Sequence, residues 1–215
     1  MTSGEESTAV TRPADLADEA QVVMLAGELA ALARVDVLVN NAGFGTLGTL
    51  VRADAERQAA MVRLHCLAPL RLAQAVLPGM TARRAGLIVN VASVAAFGTG
   101  RGNGTYSATK AFVRALSDGI AADVAGTGVR VQALCPGFTR TEFHDRMGLT
   151  PSNIPRWLWL TPARVVDASL DAAARGGPVT VIPGLRYRAI VFALRHLPLR
   201  VLSALGRRAP KDRVR

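Results

Sequence analysis

The chain is organised around residues 93–110, SVAAFGTGRGNGTYSATK. Before this stretch comes the run GLIVNVA, residues 86–92, whose apolar and β-branched side chains predict a buried parallel strand. Ser93 is therefore expected at the carboxyl end of a strand. In open α/β sheets, ligands bind at that end.

A helical pattern follows the Gly-rich connector, from about Thr105 to Ala125. Tyr106 and Lys110 are four residues apart and share one face of this helix. An ammonium group beside a phenol favours the phenolate, so we expect Lys110 to lower the pKa of Tyr106 from about 10. Such a tyrosine could exchange a proton with a carbonyl or alcohol oxygen, which Ser93 could also bind. The competing interpretation is an ordinary surface pair, which a lone Tyr-x3-Lys usually is.

Two further motifs favour the catalytic interpretation of Tyr106 and Lys110 over the surface pair. LVNNAG, residues 38–43, ends a predicted strand over 35–39, and PGFTRT, residues 136–141, follows a predicted strand over 129–134. With these motifs in this order, the sequence resembles the short-chain dehydrogenase/reductase family from about Pro13 to Pro183. The resemblance implies an α/β fold, a Rossmann-like doubly wound parallel sheet. It also implies an NAD- or NADP-dependent oxidoreductase that interconverts a carbonyl and an alcohol by hydride transfer.

The resemblance implies roles for individual residues. Tyr106 would be the acid/base, Lys110 would lower its pKa and contact the cofactor ribose, and Ser93 would hold the substrate oxygen. The cofactor-binding residues that it implies, adenine-contacting pair first, are Asp15, Leu16, Asn40, Ala42, Gly43, Tyr106, Lys110, Pro136, Gly137, Thr139 and Thr141. We expect no metal site, because the sequence has no cluster with metal-ligand spacing.

A departure from the family occurs in the long helical pattern over about 55–80. Relatives commonly carry an asparagine there that helps to hold a water chain to the catalytic lysine, and the matching position here is His65. Imidazole can both donate and accept a hydrogen bond, so His65 is a candidate for a proton relay. A packing or surface histidine is the alternative.

The family's early Gly-rich turn, where a helix start receives the pyrophosphate, has no counterpart in this sequence. We therefore expect residues 1–185 to form an incomplete, N-terminally truncated domain. The strand at 35–39 would be left as an apolar edge, and residues 1–12 would be poorly ordered apart from a conceivable short strand at 7–12. The sequence does not distinguish NAD from NADP as the cofactor. The alternative function is a noncatalytic truncated homologue that acts as a dimerising or membrane-surface protein.

Positive charge is concentrated at the end of the 215-residue chain. The net charge is +10, and residues 186–215 carry eight Arg and one Lys against one Asp, a net of +8. We expect this stretch to be a basic amphipathic extension, divided by Pro198, that contacts an anionic membrane, closes over the substrate site or packs on the core. Trp157 and Trp159 either cover the substrate or pack locally.

Composition bounds the remaining properties. The two cysteines, Cys66 and Cys135, form no Cys-x2-Cys pair and fit the reducing cytoplasm. Most of the net charge lies in the tail and the rest of the chain is close to neutral, so the charge does not indicate a nucleic-acid partner. We expect a small-molecule carbonyl or alcohol substrate, and the resemblance implies a homodimer or homotetramer.

Overall fold

The computed structural model describes residues 9–100, 102–143 and 154–196. In these residues the sheet has four strands, all parallel, in the spatial order β1-β2-β3-β4. The strands are β1 (Val37–Asn40), β2 (Gly86–Val91), β3 (Val129–Leu134) and β4 (Thr180–Val181). Asn40 lies opposite Asn90, and Val91 lies opposite Leu134. The carboxyl ends of β1, β2 and β3 therefore meet at one edge of the sheet.

Helices connect the strands, as parallel pairing requires. Their bounds are α1 (Glu19–Ala31), α2 (Ala55–Val62), α3 (Ala68–Arg83), α4 (Gly104–Asp123), α5 (Pro162–Ala174) and α6 (Leu185–His196). Asp18 caps α1 and Thr161 caps α5 with their side chains, as their residue types favour. Short 3-10 turns occur at Leu50–Arg52, Val94–Phe97 and Arg156–Leu158.

The sheet is covered on both faces. On one face, Leu38, Ile88 and Val131 pack with side chains of α1, α3 and α4. On the other face, Val89 and its neighbours pack with residues of α5 and α6. Adjacent residues of β2 thus point to opposite layers, as the pleat of a strand requires. The three-layer arrangement confirms the predicted α/β class.

The helical stretch from Ala55 to Arg83 is continuous but contains a π-helical segment at Arg63–Leu67. Pro69 follows this segment and has no N–H group, so the wide turn lets the helix continue past it. By length and composition this stretch could also cross a membrane. Met61, Ala73 and Met80, however, are fully buried in the core of the domain.

Strand β1 is an edge strand of the sheet in the described residues. The side chains of Val37 and Val39 are 52% and 54% exposed, while Leu38 between them is buried. The apolar edge expected from the sequence is therefore present.

The described residues stop short of both ends of the chain. Residues 9–12 form neither strand nor helix, so the described part of the strand suggested at 7–12 is absent; residues 1–8 lie outside the described residues. The division of the tail at Pro198 also lies outside them. The expected start of the tail falls within α6, where Tyr187 and Val191 are buried in the core.

Candidate active site

Ser93 and Tyr106 meet at the carboxyl edge of the sheet. Ser93 follows β2 and caps the 3-10 turn at Val94–Phe97, with its Oγ accepting a hydrogen bond from the Ala95 N–H at 3.1 Å. Tyr106 lies in the first turn of α4, and the Ser93 side chain is close enough to its hydroxyl to lower the pKa of that group. The two hydroxyl groups can thus reach one substrate oxygen.

The pKa of Tyr106 differs from the sequence expectation. Burial raises this pKa above its ordinary value, and the interaction with Ser93 opposes the shift. The lowering expected from Lys110 is therefore wrong: Lys110 has no resolved effect on this pKa, and desolvation of the phenolate outweighs the interaction with Ser93. The phenol is therefore held as a neutral proton donor.

Lys110 lies beneath the Tyr106 ring. Its side chain is 6% exposed, its Nζ is 5.9 Å from the centre of the Tyr106 ring, and it donates a hydrogen bond to the Val91 carbonyl at 2.8 Å. Burial lowers the pKa of Lys110 to about 8. Spacing on α4 correctly predicted that Lys110 and Tyr106 are close, but it did not predict that the ammonium is itself desolvated and turned toward β2.

His65 joins two parts of the site through its ring. Its Nε2 accepts a hydrogen bond from the Phe44 N–H at 3.2 Å, so the proton of the neutral ring resides on Nδ1. Nδ1 then donates to Thr109 Oγ1 at 2.9 Å, and Thr109 donates onward to the Tyr106 carbonyl at 2.9 Å. The ring also packs edge-on against Tyr106, at 5.9 Å between centroids.

The electrostatic surroundings keep His65 neutral. Burial, with a smaller contribution from the charge of Lys110, lowers the pKa of His65 to about 3. The ring nitrogens bond Phe44 and Thr109 rather than Lys110. The geometry therefore favours a bridging role for His65, and the proton relay stays a prediction.

The NNAG turn is fixed by polar contacts and close packing. Asn40 Nδ2 donates to Asn90 Oδ1 at 2.8 Å, and Asn90 Nδ2 donates to Ser117 Oγ at 2.9 Å, which ties β1 to β2 and β2 to α4. A Cβ at Gly43 would lie 2.8 Å from His65 Nε2. A side chain at position 43 would thus collide with His65, and the binding of a cofactor at Gly43 stays a prediction. Ala42 lies beside it in the same exposed turn.

The turn at 136–141 begins directly after β3. The Pro136 carbonyl accepts a hydrogen bond from the Val94 N–H at 3.0 Å, which places this turn beside the segment after Ser93. Thr139 Oγ1 donates to the Gly137 carbonyl at 3.0 Å, and the backbone of Thr139 bridges to Leu160. Thr141 is exposed to solvent.

Asp15 and Leu16 form the turn that precedes α1. Asp15 Oδ1 accepts a hydrogen bond from the Ala17 N–H at 2.9 Å, and Leu16 lines a shallow depression with Val22 and Arg63. Their contact with an adenine stays a prediction.

The tryptophans occupy different environments. Trp157 is 60% exposed, and Trp159 packs against Phe138, with 5.9 Å between ring centroids. Local packing is thus observed for Trp159. Residues 144–153 lie outside the described residues.

Four residues that build the site were not found from the sequence: Thr109, Asn90, Ser117 and Tyr187. Asn90 carried a signal, because an amide inside the apolar run LIVNV must find a buried partner. Tyr187 carried none, because its partners are 49 and 29 residues away along the chain.

Comparison with known proteins agrees with this site. Residues 2–150 match the sequence pattern of the family described as short chain dehydrogenase. The chain is 33% identical over 196 residues to the 2-(R)-hydroxypropyl-CoM dehydrogenase of Xanthobacter autotrophicus, covering 82% of this chain and 77% of that protein. It is 34% identical over 164 residues to the galactitol 2-dehydrogenase (L-tagatose-forming) of Cereibacter sphaeroides, covering 75% of this chain and 65% of that one.

Solved structures show the same likeness. A short-chain dehydrogenase from Sphingobium yanoikuyae in complex with NADPH superposes with a TM-score of 0.76 at 33% identity, covering 94% of this chain and 76% of that one. A short chain dehydrogenase from Burkholderia cenocepacia in complex with NADP gives a TM-score of 0.74 at 26% identity, covering 93% and 80%.

These matches define the class of the protein as an oxidoreductase with a Rossmann-like fold. The chain belongs to the short-chain dehydrogenase family. It spans only part of each curated relative's length, from 46% to 77% for the first three.

Proposed function

We propose that this chain is an NAD(P)-dependent oxidoreductase that interconverts a small-molecule carbonyl and its alcohol. The observation that carries the proposal is the convergence of Ser93 and Tyr106 at the carboxyl edge of the sheet, with Lys110 buried 5.9 Å from the centre of the Tyr106 ring. Relatives of the same family whose structures contain NADPH or NADP support the choice of cofactor.

The two hydroxyl groups have complementary tasks in this reaction. Tyr106, neutral because burial raises its pKa, donates its proton to the carbonyl oxygen as charge develops there. Ser93 holds the same oxygen by a hydrogen bond and so orients the carbonyl. The charge of Lys110 stabilises the phenolate that remains after proton transfer. The cofactor, when bound, supplies or accepts the hydride.

The nicotinamide half of the cofactor fits the residues present. Tyr106, Lys110 and the turn at 136–141 supply hydroxyl, ammonium and backbone groups at one edge of the sheet. Asn40, Ala42 and Gly43 supply the neighbouring turn of β1. The pyrophosphate half fits less well, because the sequence has no Gly-rich turn between a strand and a helix start.

In the test, the purified chain is mixed with NADPH or NADH and with 2,3-butanedione as a small carbonyl probe. The rate at which the reduced cofactor is consumed measures activity. We expect Tyr106→Phe to lower kcat by about 10²–10⁴ with little change in cofactor affinity, because only the donated proton is removed. Serine in place of Thr105, the neighbour of Tyr106, is the matched control. Equal turnover by wild type and Tyr106→Phe would refute the mechanism.

A noncatalytic role is the second candidate function, and the exposed edge of β1 favours it. Val37 and Val39 are more than half exposed on a strand with an unpaired edge in the described sheet. Such an edge is suited to pairing with another strand. Failure of the chain to bind either NADPH or NADH in a calorimetric titration would favour this candidate over catalysis.

Self-association is part of the proposal. Val62, Leu67 and Phe112 are about two-fifths exposed on the long helix and on α4, which pack together. An apolar surface of this kind suits a homodimer or homotetramer. Sedimentation of the wild type and of Phe112→Glu tests it: a monomeric wild type would refute the proposal.

Membrane contact is proposed for the basic end of the chain, within a cytoplasmic location. Leu185 and Phe192 are 78% and 66% exposed on α6, on a stripe that also carries the exposed Arg188 and Arg195. Apolar side chains flanked by arginines suit an anionic bilayer surface. Cosedimentation with phosphatidylserine vesicles should fall for Phe192→Ser, and binding equal to that of wild type would refute the contact.

A further inference from the structure

Tyr187 in α6 makes two hydrogen bonds with backbone groups around the site. Its hydroxyl accepts from the Phe138 N–H at 2.9 Å and donates to the Leu158 carbonyl at 2.6 Å. Phe138 belongs to the turn at 136–141, and Leu158 ends the 3-10 turn that precedes Leu160. One phenol thus joins two segments that are distant in sequence.

The ring of Tyr187 supports the same turn by direct packing. A Cβ built at Gly137 would overlap the ring atoms of Tyr187, with Cζ nearest. The ring therefore lies flat against the Gly137 backbone, where only glycine leaves room for it. The Tyr187 side chain is 2% exposed and belongs to the core cluster of Val89, Leu134 and Val181, which fixes its position.

A backbone ladder extends this support. The Leu160 N–H donates to the Phe138 carbonyl at 2.8 Å, and the Arg140 N–H donates to the Leu160 carbonyl at 3.0 Å. The segment after residue 153 is thus hydrogen-bonded to the turn at 136–141 through the Leu160 backbone, and Tyr187 hydrogen-bonds it through the Leu158 carbonyl. Helix α6 also packs against the 3-10 turn that follows Ser93.

We propose that Tyr187 is a positioning residue for the nicotinamide end of the site. It fixes the backbone of Pro136 to Thr139 and couples it to the segment from Leu158 to Leu160. The role rests on the proposed function, in which the turn at 136–141 meets the nicotinamide half of the cofactor. It reaches beyond that function by making α6 part of the cofactor site.

The test compares Tyr187→Phe, which removes only the hydroxyl, with Val191→Ala, which trims a buried side chain one turn further along α6. The first readout is hydrogen exchange of the amides at residues 137–140 in the chain without ligand. We expect exchange of the Phe138 amide to be about tenfold faster in Tyr187→Phe, as loss of one hydrogen bond implies. Val191→Ala should leave the ratio of Phe138 exchange to exchange elsewhere in the core unchanged.

The second readout separates positioning from general stability. Affinity for NADPH is compared with affinity for 2′-phospho-ADP-ribose, which lacks the nicotinamide. We expect Tyr187→Phe to weaken NADPH binding about three- to tenfold and to leave 2′-phospho-ADP-ribose binding unchanged. Val191→Ala should leave the ratio of the two affinities unchanged.

Unchanged exchange at Phe138, or an equal loss for both nucleotides, would overturn the proposal. If the wild type binds only NADH, the same comparison is made with NADH and ADP-ribose. If it binds neither NADPH nor NADH, the proposed function fails and the nicotinamide role of Tyr187 fails with it. In that case the exchange comparison still decides whether Tyr187 holds the turn.

Discussion

His65 Nδ1 lies 2.9 Å from Thr109 Oγ1, and this hydrogen bond connects the π-helical segment of the long helix to the helix that carries Tyr106. Because His65 Nε2 accepts from the Phe44 N–H, the ring also holds the turn after β1. A single buried imidazole therefore sets the distance between the NNAG turn and the start of α4. An asparagine, with its shorter side chain, would not span the same two partners.

The acid stability of the chain should depend on His65. Its pKa is about 3 in the folded state against about 6.5 when unfolded, so between pH 6.5 and pH 3 the unfolded state binds more protons. The free energy of unfolding should fall as the pH drops through this window, with a contribution from His65 of up to about 1.4 kcal/mol per pH unit. Urea unfolding of wild type and His65→Asn across this range measures the difference. Parallel pH profiles would show that the histidine is not held neutral.

Lys110 should produce the corresponding effect at alkaline pH. Its folded pKa of about 8 lies below the ordinary 10.5, so between these values the unfolded state binds more protons and stability rises with pH. Lys110→Met should remove this rise. The other lysine of the sequence, Lys211, provides the matched control, since Lys211→Met leaves the buried amine in place. A rise that persists in Lys110→Met would mean that the ammonium is not desolvated.

The sequence predicted local elements well because their signals are local. Apolar runs predicted β1, β2 and β3 within two residues at each end. Three motifs after three strands predicted that Ser93, Tyr106 and Lys110 would meet. Parallel strands place their carboxyl ends at one edge, so this convergence follows from topology alone.

Properties set by burial and by distant contacts were not predictable in the same way. The pKa of Tyr106 was expected to fall because the sequence shows that Lys110 is near, but it does not show that both groups are removed from water. The assignment of Gly43 and Gly137 to cofactor binding stays a prediction, but the sequence did not show that His65 and Tyr187 occupy the space beside these two glycines. Those partners come from the long helix and from α6, so no spacing rule connects them.

The polar ladder from Asn40 through Asn90 to Ser117 should show strong coupling. In the wild type, Ser117→Ala leaves Asn90 Nδ2 buried without its acceptor, which should cost about 1–3 kcal/mol of stability. In an Asn90→Leu background the same change should cost little, because no amide remains to be satisfied. Urea unfolding of the two single variants and the double variant gives the coupling energy. Additive costs would indicate that another acceptor replaces Ser117.

The contact between Gly137 and Tyr187 gives the sharpest test of packing beside the site. Gly137→Ala would force a methyl group into the Tyr187 ring, so the ring or the turn must move, at an expected cost of about 1–3 kcal/mol. In a Tyr187→Ala background the added methyl group meets no ring, and the cost should largely disappear. Gly27→Ala in α1 is the control, because nothing lies within 4 Å of the added methyl group and alanine favours the helix by about 1 kcal/mol. If Gly137→Ala is equally costly with and without the Tyr187 ring, the glycine is needed for the backbone of the turn itself and the ring is not what selects it.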